Sequence, residues 1–120
     1  EAARRTLSEP LSRAGYDALR GNLAGLMRCV REGLTEEAAE PLRRAFLAAR
    51  PAAEARARTL FTQGHALEVR HVLGAALAHY AEALSLDPLN VSWLCHFEAL
   101  HQRAHSVARE AESLSPGAAA

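Results

Sequence analysis

The sequence predicts an all-α protein of four or five helices in antiparallel, helical-hairpin packing. Three observations carry that expectation. The chain is rich in Ala and Leu and poor in aromatic and β-branched residues, a balance that favours helix over sheet. Its apolar residues recur at steps of three and four, the spacing of one helix face. Turn formers gather near Gly33, Pro51 and Pro88, dividing the chain into helix-length segments. With 120 residues, it is the size of a single domain that needs no metal or disulfide to hold its core. That domain is expected over residues 1–114.

The first helix is expected over 8–32. Ser8 is suited to cap its free amides, Glu9 and Pro10 suit a first turn, and Tyr16, Leu19, Leu23, Leu26 and Val30 form its stripe. Gly15, Gly21 and Gly25 interrupt it, each costing up to about 1 kcal/mol against Ala. They mark either the close approach of a neighbour or a break at Gly21 and Asn22, and a single helix is the reading adopted. Gly33 lies where a residue just past a helix end belongs, and Thr35 with Glu36 and Glu37 makes a cap and an acidic first turn. The second helix, 36–49, carries Ala39, Leu42, Phe46 and Ala49 on one face. Pro41 falls inside or near its start, and Pro51 stops it close to Arg50.

A third helix starts at about residue 52. From Ala53 to Leu86 there is no Pro and no paired Gly, so one continuous helix over about 52–86 is a live alternative to a hairpin. Asp87, Pro88, Leu89 and Asn90 then form a break, with Asn90 as N-cap and Leu89 positioned to staple onto Leu94. The last helix, 91–114, has the cleanest stripe: Trp93, Phe97, Leu100, Ala104, Val107, Ala111 and Leu114, a coiled-coil-like pattern of a helix packed lengthwise on a partner. Residues 115–120, with Pro116, Gly117 and three alanines, are expected to be a disordered tail.

Between Leu60 and Asn90 the small and aromatic residues fall at set intervals: Leu60, Gly64, Leu67, Ala76, Tyr80, Ala83, Pro88. On these residues the stretch 57–90 resembles one tetratricopeptide repeat, a helix-turn-helix unit. The second half matches best, through Ala83, Leu84, Leu86, Asp87, Pro88 and Asn90. In the first half Leu60 stands where the family often has Trp, and Glu68 to Val72 hold no Gly at the expected turn. The resemblance implies small residues at helix crossings, Tyr80 filling the space between, and a groove that binds peptides or whole proteins, lined by Gln63, Leu67 and Arg70.

Composition narrows the function. Fourteen basic and fourteen acidic residues cancel, which removes the electrostatic footprint expected for nucleic-acid or anionic-membrane partners. No run of apolar residues is long enough to span a bilayer, and no charged-then-apolar leader opens the chain. The two cysteines, Cys29 and Cys95, read as small apolar core residues in a reducing, intracellular, cytoplasmic setting. All fourteen basic residues are Arg, an imbalance that fits codon bias in a GC-rich genome. The absence of an initiator Met suggests a fragment of a longer chain.

Catalytic signals are lacking. There is no phosphate-cradling Gly loop and no nucleophile in a recognisable setting, so no enzyme and no cofactor is expected. No metal is expected either; Glu98, His101 and His105, at helical steps of three and four, are the nearest approach to a ligand set. Phe46, Tyr80, Trp93 and Phe97 are expected in the core. The expected function is a non-enzymatic, tetratricopeptide-like scaffold or interaction module, with a protein or peptide partner and a homodimer as its self-associating form. The competing expectation is a rod-like helical self-association segment of a large structural or assembly protein, such as a viral tegument or bacterial scaffold component.

Overall fold

A computed structural model describes the backbone of residues 2–119 and the side chains of residues 10–111. Six helices follow one another: α1 (Ala2–Arg20), α2 (Leu23–Arg31), α3 (Glu36–Ala48), α4 (Ala53–Val69), α5 (Leu73–Leu86) and α6 (Val91–Ala119). No strand occurs among the described residues, so the all-α class holds. The helix number exceeds the expected four or five because the segment read as one helix over 8–32 is divided, and so is the stretch 52–86, for which the sequence leaves one helix and a hairpin both open.

The first division is at Gly21, where φ is +66°. The amide of Asn22 donates to the carbonyl of Asp17 at 2.9 Å, and that of Gly21 to Ala18 at 3.3 Å, the paired bonds of a Schellman ending. Asn22 then caps α2 by accepting from the Gly25 amide at 3.0 Å. The helix expected over 8–32 is therefore α1 and α2. The backbone of α1 is already helical from Ala2, and the expected Ser8 cap lies outside the described side chains.

The second division overturns the continuous helix over 52–86. At residue 71 the chain enters the left-handed region with φ of 63°, and this residue is His, not Gly. Val72 donates to the carbonyl of Leu67 and His71 to that of Glu68, both at 2.9 Å, so α4 ends by the same hydrogen-bond pattern. Gly33 (φ +114°) repeats it a third time, with Leu34 donating to Cys29 at 3.0 Å. Two of these endings are glycines; the His71 ending costs roughly 1–2 kcal/mol of left-handed strain that glycine would not incur.

Other boundaries fall where caps were expected. Thr35 accepts from the Ala38 amide at 3.1 Å, and Asn90 from that of Trp93 at 3.2 Å. The expected disordered tail is corrected as far as Ala119, which α6 reaches. The core joins Ala14, Ala18, Leu26, Cys29, Leu34 and Ala39 of the first three helices and their loops to Tyr80, Leu84, Leu89, Leu94, Phe97 and Leu100. Cys95, expected in the core, is exposed.

A buried ion pair fastens α3 to the second half of the chain. Arg43 of α3 reaches the loop between α5 and α6, donating from Nε and Nη2 to Asp87 at 2.9 and 2.8 Å. Asp87 is fully buried and also accepts from the Asn90 side chain at 3.2 Å. The hydrogen bonds from Arg43 to Asp87 hold its guanidinium above the ordinary arginine value, against the opposing pull of burial.

Candidate protein-docking surfaces

The α4–α5 hairpin closes because Gly64 has no side chain. A Cβ there would lie 2.7 Å from Cδ1 and Cε1 of Tyr80 and 3.3 Å from the carbonyl oxygen of Ala76. Ala57, Ala76 and Ala83 are likewise fully buried, so the small residues sit where the helices approach. Tyr80 is fully buried beside Phe61, with ring centroids 4.6 Å apart, and Phe61 stacks on Trp93 of α6 at 4.4 Å and 7°. Three helices are thereby joined through aromatic faces.

A polar network borders this stack. Tyr80 donates its hydroxyl to Glu68 Oε1 at 2.6 Å, the same oxygen meets His96 Nε2 at 2.7 Å, and Arg103 lies 3.8 Å from Oε2. Burial acts to raise the Glu68 pKa, but the hydrogen bonds from Tyr80 and His96 and the charges of His96 and Arg103 outweigh it and hold the carboxyl below its usual value. Burial first, and the Glu68 carboxylate second, push the Tyr80 phenol well above its ordinary range. No buried side-chain nitrogen or oxygen among the described residues lacks a partner.

The residues that the repeat resemblance singles out do not form one contact set. Gln63 of α4 and Arg70 at its C-cap are exposed, and with Arg56 they recur every seven residues on one face. Leu67 is half-buried and packs against the core, so it supports that face from beneath. The possible metal ligands also separate. Glu98 is paired with Arg31 of α2, His101 stacks on Phe97 with centroids 6.0 Å apart, and His105 is exposed. No three His, Cys, Asp or Glu side chains converge among the described residues.

A second surface was not legible in the sequence. Leu11, Gly15, Tyr16 and Leu19 of α1 face Leu42, Ala45 and Phe46 of α3 and Arg50 just past its end across an apolar groove of about 520 Å³. Phe46, expected in the core, is half-buried here, and Arg50 lies over its ring at 3.7 Å. Tyr16 and Leu19 are 60% and 70% exposed although they belong to the expected stripe. The one available signal was that this stripe has more apolar residues than two short helices can cover. The stripe of α6 likewise loses its cover: Leu100 is buried, whereas Val107 is 53% exposed. Leu114 lies outside the described side chains.

Comparison with known proteins finds a relative described as serine/threonine-protein kinase Pkn1 of Myxococcus xanthus, 44% identical over 100 residues. The match takes in 83% of this chain, which spans 14% of that kinase's length. No family model and no solved structure matches. No helix among the described residues is long and apolar enough to cross a membrane.

Proposed function

We propose that this chain is a non-catalytic helical module for protein–protein contact, built round a tetratricopeptide-like hairpin, α4–α5, and of the kind appended to a larger signalling protein. The observation that carries this reading is the Gly64–Tyr80 closure. It locks α4 and α5 together and leaves the α4 face bearing Arg56, Gln63 and Arg70 in solvent. The likeness to part of a kinase fits such a role without transferring the kinase reaction. The chain has no Lys to hold nucleotide phosphates and no His-Arg-Asp or Asp-Phe-Gly motif.

A photo-activated cross-linking residue placed at Gln63 or Arg70 in cells tests this directly. A discrete protein adduct is expected from both positions and none from Glu82, which is exposed on α5. Adducts absent from 63 and 70, or equally strong from 82, would remove the α4 face as the contact.

The self-association reading retains one observation of its own, the uncovered Val107 and Ala111 of the α6 stripe. The turn at His71 takes away its other support, the long helix. Sedimentation decides: a dimer dissolved by Val107→Asp would favour self-association, and a monomer at every concentration would dismiss it.

A further inference from the structure

We propose that the groove between α1 and α3 docks an amphipathic helix of a partner protein whose apolar face is flanked by carboxylates. This surface is separate from the α4 face, and the inference stands whether or not the hairpin reading holds.

Shape is the first ground. One wall runs along α1 from Leu11 to Leu19, roughly 12 Å at the helical rise per residue, and the other from Leu42 of α3 to Arg50 just beyond its end. That length accommodates apolar side chains at i, i+4 and i+7 of a docked helix. Gly15 keeps the floor low: a Cβ there would come within 3.2 Å of Leu42 Cδ2, so a larger residue would begin to fill the space. Leu19 and Tyr16 form an apolar lip that solvent would otherwise wet, an arrangement that marks contact surfaces.

Charge identifies the occupant. Arg50 is the one charged residue in the lining, and Arg20 lies over the Tyr16 ring with its guanidinium carbon 5.1 Å from the centroid. Arg20 donates to the Tyr16 hydroxyl and Arg50 to the Phe46 carbonyl, and neither meets a carboxylate among the described residues. Asp17, the acid on this stretch of α1, turns instead to the side chain of Asn22 at 3.3 Å. Two guanidiniums held on aromatic rings at the groove therefore offer hydrogen-bond donors to incoming carboxylates.

The same charges disfavour a second copy of this chain. The uncovered stretch of its α6 is flanked by Arg103, His105 and Arg109, with Glu110 as the single acid between residues 101 and 111. Docked in the groove, it would set cations against Arg20 and Arg50.

The test uses two stapled helical peptides with Leu at i, i+4 and i+7, one ending in Glu on both sides and the other in Arg. Fluorescence polarisation with the full chain should show the Glu-flanked peptide binding at least ~10-fold more tightly than the Arg-flanked one. Leu19→Asp should abolish binding, Arg50→Glu should reverse the charge preference, and Gln63→Ala should change neither. Both groove positions are exposed, so circular dichroism should confirm unchanged helix content in these variants. Equal binding of the two peptides, or binding indifferent to Leu19→Asp, would overturn the proposal. So would two other outcomes: laurate binding in the groove with no peptide binding, which assigns it to a small amphiphile, or a dimer that Leu19→Asp dissolves.

Discussion

The α4–α5–α6 region and the α1–α3 face are made of similar residues and treat them in opposite ways. In the first, Phe61, Tyr80 and Trp93 stack on one another, and the polar atoms of Tyr80 and Glu68 find each other. In the second, the guanidiniums of Arg20 and Arg50 lie over Tyr16 and Phe46, with Tyr16 open to solvent and Phe46 half-buried. Aromatic residues at helical spacing thus build a core where a third helix covers them and a contact surface where none does. The difference lies in what α6 reaches: its first ten residues supply Trp93, Leu94, His96, Phe97 and Leu100 to one region and leave the outer side of α1 and α3 uncovered.

The sharpest way to break the contrast is at the joint between the regions. Asp87→Ala strips Arg43 of its buried partner, and urea unfolding should show a loss of about 3–5 kcal/mol, the range for removing one member of a buried pair. A loss below about 1 kcal/mol would mean that Glu40 and Glu54 satisfy Arg43 on their own. Next comes Gly64→Ala. Forcing a methyl against Tyr80 should cost about 1–3 kcal/mol by thermal unfolding, even though Ala is the better helix former. A stabilised variant would show that the hairpin is not closed through this contact.

Tyr80→Phe should cost about 1 kcal/mol at neutral pH, the net worth of one hydrogen bond. Its pH dependence sharpens the assignment. The phenol pKa is raised in the folded state, so its contribution is fully present below the unfolded value of 10.0 and declines as pH rises through the folded one. The parent should therefore lose stability above about pH 10 relative to the Phe variant. The Glu68 carboxyl moves oppositely: its pKa is lowered, so its contribution is present above the ordinary value of 4.5 and lost as the solution is acidified through the folded pKa. Glu68→Gln should accordingly flatten the acid limb of the stability curve.

His71→Gly should stabilise by up to about 1 kcal/mol, since glycine adopts the left-handed turn without a Cβ clash, offset by its freedom when unfolded. The smallest effect belongs to the open face. Leu19→Ser should change stability by less than about 0.5 kcal/mol, whereas the same change in a buried Leu such as Leu94 would be severe.

Much of this fold could be read from local chemistry. Thr35 and Asn90 cap where short polar side chains before apolar runs should, and Gly33 ends a helix as glycine does. The packing role of Gly64 against Tyr80 is what the repeat resemblance implies, and the contact is present. His71 defeated the same logic, because a left-handed His carries no compositional mark and only the bonds to Leu67 and Glu68 reveal it. Gly21 did carry the mark, but a periodic stripe running through it argued for continuity. The Arg43–Asp87 pair spans 44 residues, and the α1–α3 groove depends on which helices α6 fails to cover. Both are tertiary facts with no local signature. The three candidate metal ligands illustrate the converse: helical spacing brought Glu98 and His101 near one face, but Arg31 claimed the carboxylate.

The position of α6 after every helix that it stabilises has a consequence for how the polypeptide is made. The hairpins α1–α2 and α4–α5 join sequence neighbours and can form while still at the ribosome, but their shared interior stays unsealed until Val91–Leu100 has been synthesised. Over that interval Leu26, Leu84 and Tyr80 stand unshielded, so a ribosome paused ahead of Val91 should hold a nascent chain that is collapsed, sticky and sensitive to protease.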